Sequence, residues 1–465
     1  MSSLRTGILV VGFFFVASGF LVTATPGVAA SREKVLLSLN SKDGLHPMGG
    51  LISDASGNLY GTTAGVDVPD IGCSGESCGN VFESTPGTNG KWTEKVLHNF
   101  TDDGKDGFFP VGSLILDANG NLYGTTQEGG TGPCFDRYDE QIGCGTIFEL
   151  SPDNNGGWTE KVLYSFCSED NCSDGMEPAA GLIFDASGNL YGTTLWGGVS
   201  HCLGGGCGTV FELSPAKNGN WALTVLHTFT SGVDGAYPYA ELIFHGGNLY
   251  GTTIEGGNST CVDRNNEYIG CGTVFELRPH ASGKWTERIL HSFEDRDGAY
   301  PYAGLIFDAS GNLYGTAFGG GIHSAGCGGS GRGNPGCGNV FELTRGTNGK
   351  WTEKVLHSFN FKDGYNPFAG LIFDATGNLY GTAGAGGVGD GCNPYGCGNV
   401  FELTPGANGK WTKKVLHSFA DNGKDGYYPG GIISDGGGNL YGTTEAGGIY
   451  SDCNGGCGTV FQVTR

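Results

Sequence analysis

Residues 188–194 read Gly-Asn-Leu-Tyr-Gly-Thr-Thr, and close copies of this stretch recur along the whole chain. The core Asn-Leu-Tyr-Gly-Thr occurs seven times at spacings of 59 to 68 residues, with its leucine at Leu59, Leu122, Leu190, Leu249, Leu313, Leu379 and Leu440. A period of this kind is the sequence signature of a repeat architecture. The chain has 90 glycines in 465 residues, and they occupy fixed places in the repeats, which indicates turn chemistry rather than low complexity.

Each repeat is predicted to contain four short strands, here called a to d in chain order. In the fifth repeat they are 304–308, 312–316, 339–343 and 351–359. Asn-Gly and other Gly-containing turns separate them, as expected for hairpins. Four strands per unit, with no helical period, are typical of a β-propeller blade.

The two ends of the chain predict how the ring closes. The last repeat stops after strand c, at 458–462, whereas a d-like stretch, 33–39, lies near the start. The predicted fold is therefore all-β: a seven-bladed propeller whose last blade is completed by strand 33–39. The repeats are assigned to residues 43–100, 106–166, 174–229, 234–293, 297–359, 363–419, and 425–462 plus 33–39.

The first thirty residues predict a secretory signal peptide. Arg5 precedes an apolar run, and Val28-Ala29-Ala30 forms a small-residue cleavage site. Residues 31–465 are then a single exported domain, extracellular or periplasmic, without a membrane span and expected to be monomeric. The formal net charge of -22 and the lack of a basic stripe argue against a nucleic-acid partner.

Sixteen cysteines fall into eight local pairs, seven of which end at the start of strand c. Zinc-type CxxC spacing is missing, so disulfides are expected rather than a metal site. The predicted bonds are Cys73–Cys78, Cys134–Cys144, Cys167–Cys172, Cys202–Cys207, Cys261–Cys271, Cys327–Cys337, Cys392–Cys397 and Cys453–Cys457.

Two polar positions repeat, and a structural role is favoured for both. A histidine recurs in strand d, as in His98, and an Asp-Gly recurs three residues before each turn proline, as in Asp106. Turn capping is the favoured role of the aspartates. A ring of seven aspartates binding Ca²⁺ is the alternative, but no complete calcium-loop motif is present. No cofactor or metal is therefore expected.

Candidate ligand-binding positions lie where the repeats differ. The residue before each turn proline varies, and the residue after it adds Tyr239, Tyr302 and Phe368. Aromatic side chains with polar neighbours suit sugars, while packing between blades is the alternative. The candidates before the proline are His46, Phe109, Glu177, Tyr237, Tyr300, Asn366 and Tyr428.

The loops between strands b and c supply further candidates. Glu128 and Glu255 precede two similar loops that share an Asp-Arg pair, Asp136-Arg137 and Asp263-Arg264. Each arginine either shapes its loop through an internal salt bridge or faces a carboxylate or sugar. Trp196, in the third repeat, is a candidate for stacking or for packing. No catalytic residues are assigned, because no nucleophile, nucleotide-binding or zinc motif is present.

The recurring GLIFDASGNLYGTT and CGTVFEL resemble the GloVer (Gloeobacter/Verrucomicrobia-type) tandem repeat of secreted bacterial proteins, over the whole of residues 31–465. The first hairpin is more distantly similar to NHL and gluconolactonase-like blades. The GloVer resemblance implies a bacterial exported propeller and no particular activity. Members often carry a C-terminal anchor, but this sequence reaches Arg465 directly after a strand, so none is expected.

These observations favour a non-enzymatic extracellular binding module. Its ligand would be a carbohydrate or another protein, held on the face that carries the long loops. A secreted hydrolase or lyase acting on polysaccharide or lactone is the first alternative, and it requires acidic or histidine side chains to converge in the channel. A structural envelope protein is the second.

Overall fold

Seven four-stranded antiparallel sheets account for nearly all regular structure in the described residues of the computed structural model. Described are residues 32–65, 78–135, 140–198, 202, 205–217, 219–258, 261–262, 267–321, 327, 336–392, 394–450, 453 and 455–465. The predicted all-β propeller is confirmed. The signal-peptide prediction and the assignment of residues 31–465 to one exported domain stay predictions, and residues 1–30 lie outside the described ranges.

Each sheet is one blade with strands a, b, c and d in that order across it. The strands of blades 1 to 3 are Ile52–Ser53, Leu59–Thr63, Asn80–Pro86 and Trp92–Asn99; Ile115–Leu116, Leu122–Thr126, Thr146–Pro152 and Trp158–Ser165; and Ile183–Phe184, Leu190–Thr194, Thr209–Pro215 and Trp221–Thr228. Those of blades 4 to 6 are Ile243–His245, Asn248–Thr253, Thr273–Pro279 and Trp285–Ser292; Ile306–Phe307, Leu313–Ala317, Asn339–Arg345 and Trp351–Ser358; and Ile372–Phe373, Leu379–Ala383, Asn399–Pro405 and Trp411–Ser418.

Blade 7 closes the ring as predicted. It contains Gly426–Ser434, Asn439–Gly447 and Thr459–Thr464, and the first strand of the described chain, Arg32–Ser38, pairs with the last as its strand d. A two-stranded pair, Gly107–Phe108 with Glu128–Gly129, and two short 3-10 helices, Asp170–Cys172 and Gly232–Asp234, complete the regular elements. No described helix has the length and apolar character needed to cross a membrane.

Tight turns hold each a–b hairpin. In blade 3 the Asp185 carboxylate accepts hydrogen bonds from the backbone N–H groups of Ser187 and Asn189, at 2.8 and 2.9 Å. Gly188 between them has a φ of 84°, which glycine adopts without strain. The Asp-x-x-Gly-Asn sequence therefore encodes the hairpin directly.

Phenylalanine pairs join neighbouring blades. The strand-c phenylalanine is fully buried in every blade, as Phe211 is. Its ring packs edge-to-face against the phenylalanine that follows strand d of the preceding blade. Between blades 2 and 3, for example, the ring centroids of Phe166 and Phe211 are 5.3 Å apart. The same contact recurs between Phe229 and Phe275, at 5.2 Å. The core is thus a set of thin interblade layers, each with the favoured aromatic geometry.

Seven disulfides are present among the described residues and confirm seven predicted pairs: Cys134–Cys144, Cys167–Cys172, Cys202–Cys207, Cys261–Cys271, Cys327–Cys337, Cys392–Cys397 and Cys453–Cys457. Cys78 is also disulfide-bonded, but its predicted partner Cys73 lies outside the described residues. Six of the seven bonds fasten a b–c loop to the start of its strand c.

Candidate functional site

A ring of seven strained turns surrounds one end of the propeller channel. The residue before each turn proline has a positive φ of 52° to 61°, a conformation that non-glycine residues seldom adopt. Its N–H donates to the carbonyl of a disulfide-bonded cysteine in the preceding blade, as from Tyr300 to Cys271 at 2.8 Å. Its carbonyl accepts from the b–c loop of its own blade, as from Phe318 at 3.2 Å. These bonds place the d–a turns and the b–c loops side by side on one face.

Of the seven residues before the proline, two are buried in the core and five are partly exposed. Tyr300 is fully buried and Phe109 is 7% exposed. The other five, His46, Glu177, Tyr237, Asn366 and Tyr428, are half-buried. Their role in binding a ligand stays a prediction, and this packing accounts for the two aromatic side chains that are buried.

The loop candidates are held in the same layer. Trp196 packs on Tyr237, with ring centroids 4.6 Å apart, and its backbone pairs with Met176. Glu128 is 8% exposed, and Glu255 pairs through its backbone with Ala236. Asp136, Arg137, Asp263 and Arg264 lie outside the described residues.

The channel itself is a cavity of about 470 Å³, lined by the a strands of all seven blades. Its volume falls in the ordinary range for small-molecule sites. Most of the lining is Gly, Ala, Val, Leu and Ile. The polar and aromatic exceptions in the described lining include Ser113, Tyr239, Glu241, Tyr302 and Phe368.

An aromatic wall, formed by Tyr239, Tyr302 and Phe368, lines one side of this cavity, and Phe318 packs behind it against Tyr302 and Phe368. Tyr239, Tyr302 and Phe368 directly follow the turn prolines of three consecutive blades, 4 to 6. The centroid of the Tyr302 ring lies 5.5 Å from that of Tyr239, 5.1 Å from that of Phe368 and 5.2 Å from that of Phe318.

The same ring position is not aromatic in the other four blades, where it holds Met48, Val111, Ala179 and Gly430. The wall is therefore a departure from the sevenfold repeat, confined to one side of the channel. Its three rings line the cavity and are half-buried.

Two hydrogen bonds that share the Ser113 side chain link three blades inside the channel. The first residue of the a segment is glycine in five blades, but Ser113 in blade 2 and Glu241 in blade 4. Glu241 forms a hydrogen bond with Ser113, and the Ser113 hydroxyl oxygen accepts from the Gly50 N–H at 3.1 Å. A Cβ at Gly181, in the blade between them, would lie 2.5 Å from Glu241 Oε1 and 2.9 Å from the Ser113 carbonyl oxygen, so the glycine leaves room for this hydrogen-bonded pair.

Burial raises the pKa of the Glu241 carboxyl, because the apolar channel disfavours its charged form, while the Ser113 hydrogen bond opposes the shift. Burial also raises the pKa of Tyr239 to about 12, helped by Tyr302 and by the negative charge of Glu445.

Glu445 and His46 are in contact with each other across the interface between blades 7 and 1. His46 Nδ1 is 3.1 Å from the Glu445 carbonyl and donates to it. Burial raises the pKa of the Glu445 carboxyl, and the nearby His46 lowers it.

The sequence reasoning missed Glu241, Ser113 and Glu445, because it sought differences only in the turns and loops. The signal was nonetheless present: a position that is glycine in five copies changes to serine and glutamate in two. Departures inside a strand that lines the axis are as informative as departures in a loop.

The site offers hydrogen bonding and stacking rather than a pair of catalytic acids. Among the described residues lining the cavity, Glu241 is the one acidic side chain. Hydrolysis of a glycoside ordinarily uses two carboxyl groups about 5 to 9.5 Å apart. The cavity as described suits the binding of a small polar molecule with an apolar face.

Comparisons with known proteins agree with the architecture. The model of the Gloeobacter/Verrucomicrobia repeat matches residues 17–170 and 134–328, together more than half of the chain. No curated protein matches the sequence.

Solved propellers match at low identity. An ulvan lyase, a polysaccharide lyase solved bound to -[GlcA(1-4)Rha3S]-, is 10% identical over 92% of this chain and 95% of that chain, with a TM-score of 0.52. A luciferin-regenerating enzyme is 14% identical over 94% and 96%, with a TM-score of 0.41. A gluconolactonase from Xanthomonas campestris is 15% identical over 75% and 85%, with a TM-score of 0.39. At these identities the likeness shows the fold alone.

Proposed function

We propose that this chain, which belongs to the Gloeobacter/Verrucomicrobia repeat family, is an exported carbohydrate-binding protein. Family membership accounts for the repeats but names no activity, so the proposal rests on the channel. The ligand is a short, largely neutral oligosaccharide, held at the channel mouth. The observation that carries this proposal is the aromatic wall, which faces the cavity on one side only.

The chemistry of the wall suits a sugar. Aromatic side chains provide an apolar surface and, in tyrosine, a polar edge. Sugar rings have apolar C–H faces that stack on such surfaces and hydroxyl groups at their rims. Ser113 and Glu241 supply a hydroxyl and a carboxyl group within the same cavity, and these can donate to or accept from sugar hydroxyls.

Export is part of the proposal. Seven disulfides in the described residues support an oxidising compartment, where such bonds persist. A monomeric state and a protein ligand in place of a sugar both stay open to test. A hydrolase or lyase is less well supported, because the described lining provides a single carboxyl group.

The test is a binding screen of neutral and acidic oligosaccharides by calorimetry, repeated with Tyr302→Ala. Truncating a contact aromatic costs on the order of 2 kcal/mol, so we expect the affinity to fall by at least about tenfold. Tyr302→Phe should keep most of the affinity, since it retains the stacking face.

Val111→Ala is the matched control, because Val111 occupies the same ring position in blade 2, away from the wall. It should bind like the unmodified protein. Melting temperatures measured in parallel separate lost binding from lost folding. Binding by none of the glycans, or equal losses for Tyr302→Ala and Val111→Ala, would overturn the proposal.

A further inference from the structure

Away from the channel, a second kind of polar cluster lies between strands d of adjacent blades. A β-bulge occurs in the c–d pairing of all seven described blades, and the residue it leaves unpaired is a leucine, as at Leu97 in blade 1. Bulges redirect the side chains that follow them. The next residue is histidine in five blades, and its Nε2 lies 3.1 to 3.2 Å from the aspartate of the following turn.

A glutamate from strand d of the next blade completes the cluster. At five interfaces its Oε1 is buried and has no hydrogen-bond partner among the described residues: Glu33, Glu94, Glu160, Glu287 and Glu353. A buried carboxylate oxygen without a partner is costly. The same atom is therefore left at five symmetric places for a proton, a water molecule or a metal ion to satisfy.

At two of these interfaces the three side chains have the geometry of metal ligands. One oxygen of Glu33, one nitrogen of His417 and one oxygen of Asp425 lie within 4.8 Å of one another, and so do the corresponding atoms of His227, Asp234 and Glu287. The side chains of His417 and Asp425 are only 21% and 10% exposed.

We propose that these two interblade clusters bind a divalent transition-metal ion of the Zn²⁺ class. One imidazole and two carboxylates are a ligand set that Zn²⁺ accepts, with water in a fourth position. Metal binding at Nε2 requires the imidazole to carry its proton on Nδ1, so the proton that Nε2 now donates to the aspartate would move to Nδ1, or to solvent if Nδ1 is already protonated. A metal ion bound there would also give the buried carboxyl groups of Glu33 and Glu287 a partner. The sites are distinct from the channel and from the proposed function.

The interface between blades 5 and 6 supplies independent support. There the glutamate is replaced by Lys413, whose ammonium group donates to the Asp363 carbonyl and lies 5.1 Å from the centroid of the Phe359 ring. The chain itself thus places a cation beside the His357–Asp363 pair.

The interface between blades 2 and 3 has neither the glutamate nor the histidine. Leu223 occupies the glutamate position and Tyr164 the histidine position. Asp174 then accepts hydrogen bonds from the Tyr164 hydroxyl at 2.8 Å and from the Ser168 N–H at 2.9 Å. Where the glutamate is replaced, the third side chain of the cluster is therefore either a positively charged lysine or an uncharged leucine.

The test is to equilibrate the purified protein, Ser31–Arg465, with Zn²⁺, remove free ion by gel filtration and measure bound zinc by mass spectrometry. About two ions per chain are expected. The double variant Glu33→Gln, Glu287→Gln should retain about none and should lose the zinc-dependent rise in melting temperature.

Glu94→Gln is the matched control, because its interface has Leu37 in place of the histidine, and it should retain both ions. X-ray absorption of the zinc-loaded unmodified protein should give one imidazole per zinc, a result that requires no variant. The proposal would be overturned if the unmodified protein failed to retain zinc, if the double variant retained as much zinc as the unmodified protein, or if several histidines coordinated each zinc. The first outcome is expected if the buried carboxyls hold protons instead.

Discussion

The glycine in each Leu-Tyr-Gly-Thr strand makes room for the strand-c phenylalanine. A Cβ built on Gly192 would lie 2.7 Å from Phe211 Cζ and 2.9 Å from Leu182 Cδ2. The corresponding glycine meets its phenylalanine in the same way in the other six blades. The phenylalanine also packs against the preceding blade, so the glycine permits close packing of the whole interblade layer.

Gly192→Ala is therefore expected to lower the free energy of unfolding by about 1 to 3 kcal/mol, the usual cost of overpacking a core. Chemical denaturation would measure the change. Gly188→Asn is the control, because Gly188 has open space around it and asparagine tolerates its positive φ. Equal stability of Gly192→Ala and the unmodified protein would contradict the packing explanation.

At the scale of elements, strand d is the outer strand of each blade, and it also carries a partly buried glutamate. The alternation of Trp-Thr-Glu-Lys-Val exposes the threonine and partly buries the glutamate, as in Thr93 and Glu94. Burial raises the pKa of Glu94 to about 8, with Asp43 adding to the shift. Burial and the charge of Asp297 raise the pKa of Glu353 to about 8.

Glu160 behaves similarly. Burial raises its pKa to about 7; Asp106 and Asp103 add to this shift, while His98 opposes it. In each case the folded protein holds a proton that the unfolded chain releases near pH 4.5.

These shifts predict that stability falls as pH rises. Between pH 4.5 and about 8 the folded state binds more protons than the unfolded state at these sites, so their contribution is fully present below pH 4.5 and is lost by about pH 8. Thermal unfolding from pH 5 to 9, with EDTA present, would measure it.

The triple variant Glu94→Gln, Glu160→Gln, Glu353→Gln should flatten this pH dependence, because glutamine resembles the neutral acid. Glu169→Gln, at an exposed position, should leave it unchanged. A pH profile that is equally steep in the triple variant would show that other groups cause it.

At the scale of the whole molecule, the ring depends on its first strand. Arg32–Ser38 pairs with Thr459–Thr464 over six register positions and supplies the fourth strand of blade 7. Without it, blades 7 and 1 would face each other across an open edge.

A chain that begins at Asn40 should therefore melt on the order of 10 °C lower than Ser31–Arg465, or aggregate. Adding a synthetic peptide of residues 31–40 should restore part of the loss. Unchanged melting of the shortened chain would contradict closure by this strand.

The sequence predicted the repeat, the four strands per blade, the closing strand and seven observed disulfides, because each follows from local and periodic signals. The sequence did not predict which residue of each d–a turn faces the channel. Tyr300 and Tyr302 flank the same proline, yet Tyr300 is fully buried while Tyr302 borders the cavity. Which of two neighbouring residues faces the axis depends on a strained turn conformation that periodicity does not encode.

The proposed carbohydrate site is tested most directly by a crystal structure of the protein grown with a bound oligosaccharide from the screen. We predict sugar density at the channel mouth, with a ring stacked on Tyr302 or Tyr239 and a hydroxyl within hydrogen-bonding distance of Glu241 or Ser113. Density at another surface, with the cavity beside the aromatic wall filled by water alone, would contradict the account.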